Sequence, residues 1–168
     1  MNKLILLFSV CLITFGCQNS EKDIRNQAKN SADSLIILDN FKKSLIGEWE
    51  TVSFKVDVNS VNNTDSSYSL FVGHGEWKEK LNLKPFKTNY RENNTYEMSF
   101  WDMSDSIVDV KRGLWSVFGD TLILMEPDGT YQYQVRSKNN HLQFESLLDW
   151  DGDGVEDDAY MRVEKRVQ

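Results

Sequence analysis

The sequence predicts a mainly β protein of about eight antiparallel strands, arranged as an up-and-down barrel or a sandwich, with one helix before the first strand. Apolar and polar residues alternate along several short segments, which is the period of a strand with one buried face. Turn-forming residues separate these segments at short intervals, as they do in antiparallel barrels and sandwiches. The 168 residues include five Trp and only two Pro, a composition that favours a packed β domain over a disordered chain.

The chain begins with the features of an export signal. Lys3 supplies a basic start, and the 12 residues from Leu4 to Phe15 are mostly apolar. A helix needs roughly 20 apolar residues to span a bilayer, so an uncleaved membrane anchor is the weaker interpretation. Residues 1–16 are therefore expected to form a signal peptide that is removed from the mature protein.

Cys17 is the expected site of lipidation. Residues 13–17 resemble a lipobox, in which a cysteine that follows a small residue is diacylated and becomes the new N-terminus. The resemblance implies an anchor of acyl chains in a membrane, with ~0.8 kcal/mol from each buried methylene. Gln18 differs from the Asp that commonly marks retention at the inner membrane, so we expect a lipid-anchored protein of the bacterial cell envelope, at the outer membrane, facing the periplasm or the cell surface. Ordinary secretory cleavage nearby is the alternative, and it would leave Cys17 as an incidental thiol.

A polar tether and a helix are expected between the cysteine and the β domain. Residues 17–31 contain few apolar side chains and predict a flexible tether. The domain then extends over residues 32–168, and its first element is predicted as a helix over residues 32–45. Ser31 or Asp33 can cap that helix, its apolar residues recur at helical spacing, and Gly47 is a typical helix stop.

Strand patterns fill the rest of the chain. Val52–Val58 alternates apolar and polar residues, and residues 58–69 are predicted as a loop because they are rich in Asn, Ser and Asp. Residues 76–83 fit either a strand or a helical turn. Later strands are expected as a hairpin or kinked strand at 90–101, and as strands at 107–118, 121–126, 131–135, 141–148 and 159–166.

The order of these motifs resembles the lipocalin-like domain of Bacteroidetes lipoproteins. Residues 45–49, Leu-Ile-Gly-Glu-Trp, are similar to the Gly-x-Trp signature at the start of the first lipocalin strand. Further matching segments lie at 90–96, 113–122 and 131–135, so the resemblance covers about residues 41–166. It implies an antiparallel up-and-down β-barrel with Trp49 packed across a closed end, and a barrel interior that can hold an apolar ligand.

The aromatic residues leave two interpretations of that interior open. Trp77, Trp101 and Trp115 are the candidates for lining a ligand cavity. Large aromatic residues at strand spacing are more often ordinary core, and an eight-stranded barrel is just wide enough to be filled by side chains or to hold one small ligand.

The acidic segment 149–158 is the strongest candidate for a metal site. Its Asp-x-Asp-x-Asp-Gly pattern resembles the first half of an EF-hand calcium loop, in which oxygen ligands surround the ion at about 2.3–2.6 Å. The twelfth position of such a loop is a bidentate Glu, but here it is Tyr160. An acidic, solvated turn without an ion is the alternative, and between the last two strands Ca²⁺ would stiffen a hairpin rather than serve catalysis. The expected ligands are Asp149, Asp151, Asp153, the carbonyl of Val155, Asp157, and Asp158 as the replacement carboxylate.

Charge and motif content narrow the function classes. The net charge is −7 and no basic run occurs, which argues against binding to nucleic acid. Both cysteines lie in the signal region, and His74 and His141 belong to no recognisable catalytic motif. We therefore expect a non-catalytic protein that binds a small apolar ligand, or a cell-envelope interaction module whose filled barrel and calcium-stiffened loop contact a protein or a glycan. A hydrolase that uses two carboxylates is the third possibility, and no motif points to it.

Overall fold

The computed structural model describes residues 20–167, which form one long helix followed by nine strands. The expected signal peptide at residues 1–16 and the expected lipidation site at Cys17 lie outside the described residues. The elements are α1 (Ser20–Leu45), β1 (Gly47–Val58), β2 (Tyr68–Val72), α2 (Trp77–Leu81), β3 (Lys87–Tyr90), β4 (Thr95–Trp101), β5 (Ile107–Phe118), β6 (Thr121–Glu126), β7 (Gly129–Lys138), β8 (His141–Leu148) and β9 (Asp158–Arg166).

Eight of the nine strands close into an antiparallel barrel, which confirms the predicted fold class. Strands β3 to β8 each pair with the next strand in the chain, and β1 completes the barrel by pairing with β3 on one edge and with β9 on the other. Closure leaves these strands without long free edges. Strand β2 is an addition: it pairs with residues 54–58 of β1, beyond the part of β1 that pairs with β3.

The sequence signals set most of the strand boundaries. Strands β5, β6 and β8 have the bounds that their flanking turns predict, and residues 87–101 form a hairpin. Asn94, Asn139 and Asn140 have positive φ angles of 63°, 51° and 63°, as tight hairpin turns require. Residues 77–81 form the helical turn rather than a strand, and β2 was not predicted because its start falls in the Asn/Ser-rich segment.

Helix α1 is longer than predicted. It begins at Ser20 rather than near residue 32, so residues 20–31 are helical instead of forming a flexible tether. That segment has no apolar stripe, but its Glu, Lys, Gln and Ala residues favour a helix and it contains neither Gly nor Pro. The chain divides after Ile36 into two compact units, and the last turns of α1 belong to the same unit as the barrel. Within residues 20–167, no helix is long and apolar enough to span a bilayer.

The last turn of α1 closes one end of the barrel. Leu45 is fully buried there, and the Trp49 indole N–H donates a hydrogen bond to the Leu45 carbonyl at 2.7 Å. The guanidinium of Arg166 lies 4.3 Å from the centre of the Trp49 ring and donates a hydrogen bond to the Ile46 carbonyl. Trp49 thus packs at a closed end, as the lipocalin resemblance implies, and helix carbonyls that lack intrahelical donors are satisfied.

Candidate functional site

A cavity of about 250 Å³ lies inside the barrel, toward the end opposite α1, and is partly open to solvent. The end of β6, the end of β8 and the loop after β8 surround its mouth. Most of its wall is aromatic. The aromatic lining residues are Phe54, Phe86, Phe100, Tyr131, Tyr133, Trp150 and Tyr160.

The aromatic side chains of the wall pack against one another. The Phe54 ring lies 6.5 Å from Tyr160 and 6.2 Å from Trp150, and Trp150 stacks on Tyr160 at 6.0 Å. Trp150 is 41% exposed, so it stands at the mouth. These ring contacts hold the cavity wall in place. Burial raises the pKa values of Tyr133 and Tyr160, so both phenols are neutral.

Arg162 supplies a buried charge at the floor of the cavity. Its side chain is 3% exposed, and its Nε lies 3.3 Å from Oε1 of Glu164, which is fully buried. The Thr88 hydroxyl donates a hydrogen bond to the same carboxylate at 2.9 Å. The guanidinium also packs 4.7 Å from the centre of the Phe144 ring. Burial lowers the pKa of Arg162, but Glu164 and the nearby tyrosines outweigh that effect, so the pKa lies above its usual value and the group is charged.

The Arg162–Glu164 pair is incompletely hydrogen-bonded. Among the described residues, Nε and Nη2 of Arg162 and Oε2 of Glu164 have no hydrogen-bond partner. Nη1 contacts a soft acceptor, Sδ of Met98, at 3.5 Å, and the guanidinium also lies beside the Tyr160 phenol. Buried donors and acceptors are costly when unsatisfied, so this pair keeps hydrogen-bonding capacity that the protein itself does not use.

A second ion pair lies at the mouth. The Lys111 ammonium is 3.4 Å from Glu126 and 3.5 Å from Asp128, and the Tyr96 hydroxyl donates a hydrogen bond to Glu126. Burial lowers the pKa of Lys111, but the two carboxylates outweigh it and the pKa is raised, so the lysine stays charged. A charged lysine with paired carboxylates is neither a nucleophile nor a free general base.

None of the three tryptophans proposed from the sequence lines this cavity. Trp77 is buried against Phe86 and Phe54 and borders a separate cleft of about 250 Å³ beside His74. Trp101 is half-buried, and its indole N–H donates to the Ser99 hydroxyl.

Trp115 lies near the closed end, where its indole N–H donates to the Arg91 carbonyl. The lining residues Phe54 and Tyr133 could have been found from strand alternation, since both occupy inward positions of predicted strands. Trp150 could not be found in this way, because a loop carries it.

The acidic loop 149–157 brings three of its predicted ligands together. One carboxylate oxygen from each of Asp149, Asp151 and Asp153 lies within 4.8 Å of the others. Turn hydrogen bonds fix this arrangement: the amide of Gly154 donates to Asp149, and that of Val155 donates to Asp153. The side chain of Val155 is exposed, as a residue offering only its carbonyl can be.

The other two predicted ligands face the loop between β1 and β2. Asp157 accepts a hydrogen bond from the Ser60 hydroxyl at 3.1 Å. Asp158 is 1% exposed, and its two oxygens accept the backbone N–H groups of Asn59 and Trp150. Asp158 therefore joins two loops instead of replacing the missing carboxylate of an EF-hand.

The β1–β2 loop also stabilises two carboxylates of the acidic loop through backbone hydrogen bonds. The backbone amides of Asn62 and Asn63 donate to Asp151 at 2.7 Å and to Asp153 at 2.9 Å. Both asparagines have positive φ angles, 51° and 57°, which turn successive N–H groups toward the carboxylates. The sequence indicated a loop here but not its partner, since a contact about 90 residues away leaves no local pattern.

No known family model matches this chain, and no curated protein has a significant match to it.

Proposed function

We propose that the protein binds a small, mainly apolar molecule in its barrel cavity without converting it chemically. The observation that carries this proposal is the cavity of about 250 Å³, which has an aromatic wall and a solvent-facing mouth. Concave, largely apolar pockets with a few polar groups are the usual form of small-molecule sites.

The size of the cavity limits the ligand. An apolar cavity of roughly 150 Å³ holds benzene, so one of about 250 Å³ suits a molecule of roughly ten non-hydrogen atoms. Because the mouth is partly open, a longer molecule can extend past Trp150.

We further propose that the protein is a lipocalin-like lipoprotein, anchored through acylated Cys17 in the bacterial cell envelope. The lipobox-like residues 13–17 support the anchor. The barrel supports the lipocalin-like assignment through its architecture and the position of Trp49, and the same architecture is shared by proteins of many functions.

An interaction module remains the second candidate, because the acidic loop exposes apolar groups beside its carboxylates. Trp150 is 41% exposed and Val155 is 43% exposed. Under this proposal the loop, stiffened by Ca²⁺ at Asp149, Asp151 and Asp153, contacts a protein or a glycan of the envelope.

Native mass spectrometry of the protein purified from a bacterial host tests the first proposal, with a matched pair of variants. Leu148 lines the cavity and its neighbour Leu147 is 58% exposed. Leu148→Trp should fill the mouth and remove a retained organic mass, and Leu147→Trp should keep it. If the wild-type protein carries no organic mass and binds no aromatic probe, the proposal is wrong and the interaction module becomes the better candidate.

A further inference from the structure

We propose that the ligand is an uncharged molecule with a hydrogen-bond acceptor, such as a carbonyl oxygen, that Arg162 binds at the floor of the cavity. This inference rests on the proposed function, because it assigns a chemical class to the molecule that occupies the barrel.

The first step is the free hydrogen-bonding capacity of Arg162. A guanidinium carries five N–H donors, and this one is 97% buried, since its side chain is 3% exposed. Nε and Nη2 find no hydrogen-bond partner in the described part of the chain, and Nη1 donates to a soft acceptor, the Met98 sulfur, beside the Tyr160 phenol. The residue lines the cavity, although Nε and Nη2 themselves have almost no accessible surface. Binding therefore includes a rotation of the Arg162 side chain that turns one of these donors toward an acceptor on the occupant.

The second step is the charge balance of the interior. Arg162 is 3.3 Å from Glu164, and Lys111 is 3.4 Å from Glu126, so each buried or half-buried cation already has a carboxylate. A ligand carboxylate would add an uncompensated negative charge in a low-dielectric environment, where such a charge is costly. A neutral acceptor satisfies the guanidinium without that charge.

The third step is the electrostatic field at the mouth. Glu126 lines the cavity at its mouth, and Asp128 lies beside it, on the other side of Lys111. The acidic loop that carries Trp150 adds the carboxylates of Asp149, Asp151 and Asp153. Lys111 is the one lysine among the described residues that line the cavity, and its ammonium is already paired with Glu126 and Asp128. A mouth at which carboxylates outnumber ammonium groups disfavours the approach of anions, so an anionic ligand is disfavoured on entry as well as at the floor.

The test is a set of three nearly isosteric probes that differ only in the polar group. Acetophenone has a neutral acceptor, benzoate has an anionic acceptor at neutral pH, and cumene has none. All three are close to the size that the cavity admits. Isothermal titration calorimetry with the full chain should give acetophenone an affinity about tenfold above that of cumene, as expected for one hydrogen bond to a charged donor. Benzoate should bind more weakly than acetophenone.

A double variant tests whether Arg162 causes the preference. Arg162→Met combined with Glu164→Gln removes both charges together and leaves the amide oxygen to accept the Thr88 hydroxyl. We expect this variant to bind cumene at least as well as acetophenone. Leu147→Trp, which changes an exposed residue of β8, is the control and should keep the wild-type order. If the double variant does not fold, the order of affinities of the three probes for the wild-type protein still shows whether the cavity prefers a neutral acceptor.

The outcomes separate this inference from the proposed function. If all three probes bind with equal affinity, or if the double variant keeps the acetophenone preference, the barrel binds small molecules but Arg162 does not select them. If benzoate binds most tightly, the ligand class is anionic and the inference is wrong. If none of the probes binds although the purified protein carries an organic mass, this inference is wrong and the proposed function stands. If no probe binds and no organic mass is retained, both fail.

Discussion

Arg162 is a charged residue whose hydrogen-bond donors are only partly satisfied inside the barrel. Its partner Glu164 lies two residues along the same strand, so both side chains point inward and the pair is buried as a unit. A buried pair of this kind adds little net stability, but losing one member exposes the other to a low-dielectric interior without compensation.

We predict that Arg162→Met alone destabilises the protein by about 3–5 kcal/mol, because it leaves Glu164 buried and unpaired. The double variant with Glu164→Gln should recover most of that loss. Urea unfolding of the single and double variants measures the difference. Equal stabilities of the two variants would show that the two charges are not coupled.

Glu97 gives a pH-dependent prediction. The Arg112 hydrogen bond, at 2.9 Å, lowers the pKa of Glu97 below its usual 4.5, and Arg91 contributes at 3.5 Å. Because the folded pKa is the lower one, the stabilisation is present above about pH 4.5 and is lost as the pH falls through the folded value.

Glu97→Gln should therefore cost roughly 0.2–1 kcal/mol at neutral pH, the range for exposed ion pairs. That cost should disappear in acid, and denaturant unfolding across the pH range measures it. Glu92→Gln is the control, since Glu92 makes no ion pair within the described residues. A cost for Glu97→Gln that does not change with pH would contradict the assignment.

At the scale of the element, the acidic loop has two sources of compensation for its charge. Backbone amides of the β1–β2 loop already bind Asp151 and Asp153. A cation among Asp149, Asp151 and Asp153 would be a further source, and the carboxylate spacing is suitable for one.

We predict that the protein melts at a higher temperature in Ca²⁺ than in chelator at low ionic strength. Replacing Asp149, Asp151 and Asp153 with Asn should abolish that difference, while the amide oxygens can still accept the loop N–H groups. Differential scanning calorimetry measures both. If the wild-type protein melts at the same temperature with and without Ca²⁺, the loop binds no stabilising Ca²⁺ and the backbone amides alone stabilise its carboxylates.

The strands and the acidic loop show which features of the fold local sequence patterns predict and which they do not. Strand ends at 107, 118, 121, 126, 141 and 148 follow from local alternation and turn residues, and the three Asp carboxylates gather because a single turn joins them. The pairing of β2 with β1 and the docking of Asp158 on Asn59 depend on residues far apart in the chain. The positions of Trp77, Trp101 and Trp115 also depend on tertiary structure, because a side chain at strand spacing points to the cavity, the closed end or the outside according to strand register.

At the scale of the whole molecule, the barrel has two different ends. The last turn of α1, Trp49 and Arg166 close one end, and the acidic loop and Trp150 border the other. The proposed lipid anchor at Cys17 would precede the helix in the chain.

We predict that Cys17→Ser moves the protein from the membrane fraction to the soluble fraction of an export-competent host, because the thiol that would carry the acyl chains is gone. Cell fractionation and the intact mass of the protein measure the effect. Cys11→Ser, within the predicted signal, is the control and should leave the protein in the membrane. Retention of the Cys17→Ser variant in the membrane would contradict lipidation at this residue.

The pairing of β1 with β9 has a consequence for the order of folding. Trp49 of β1 pairs with Arg166 of β9. The barrel therefore cannot close until the last strand is available to pair with the first. Contacts at this sequence separation are slow to form. A chain that emerges N-terminus first therefore stays open until nearly all of it has been delivered. If the chain is exported as its first 17 residues predict, this delay would keep it unfolded during passage through an export channel and would postpone assembly of the cavity until export is complete.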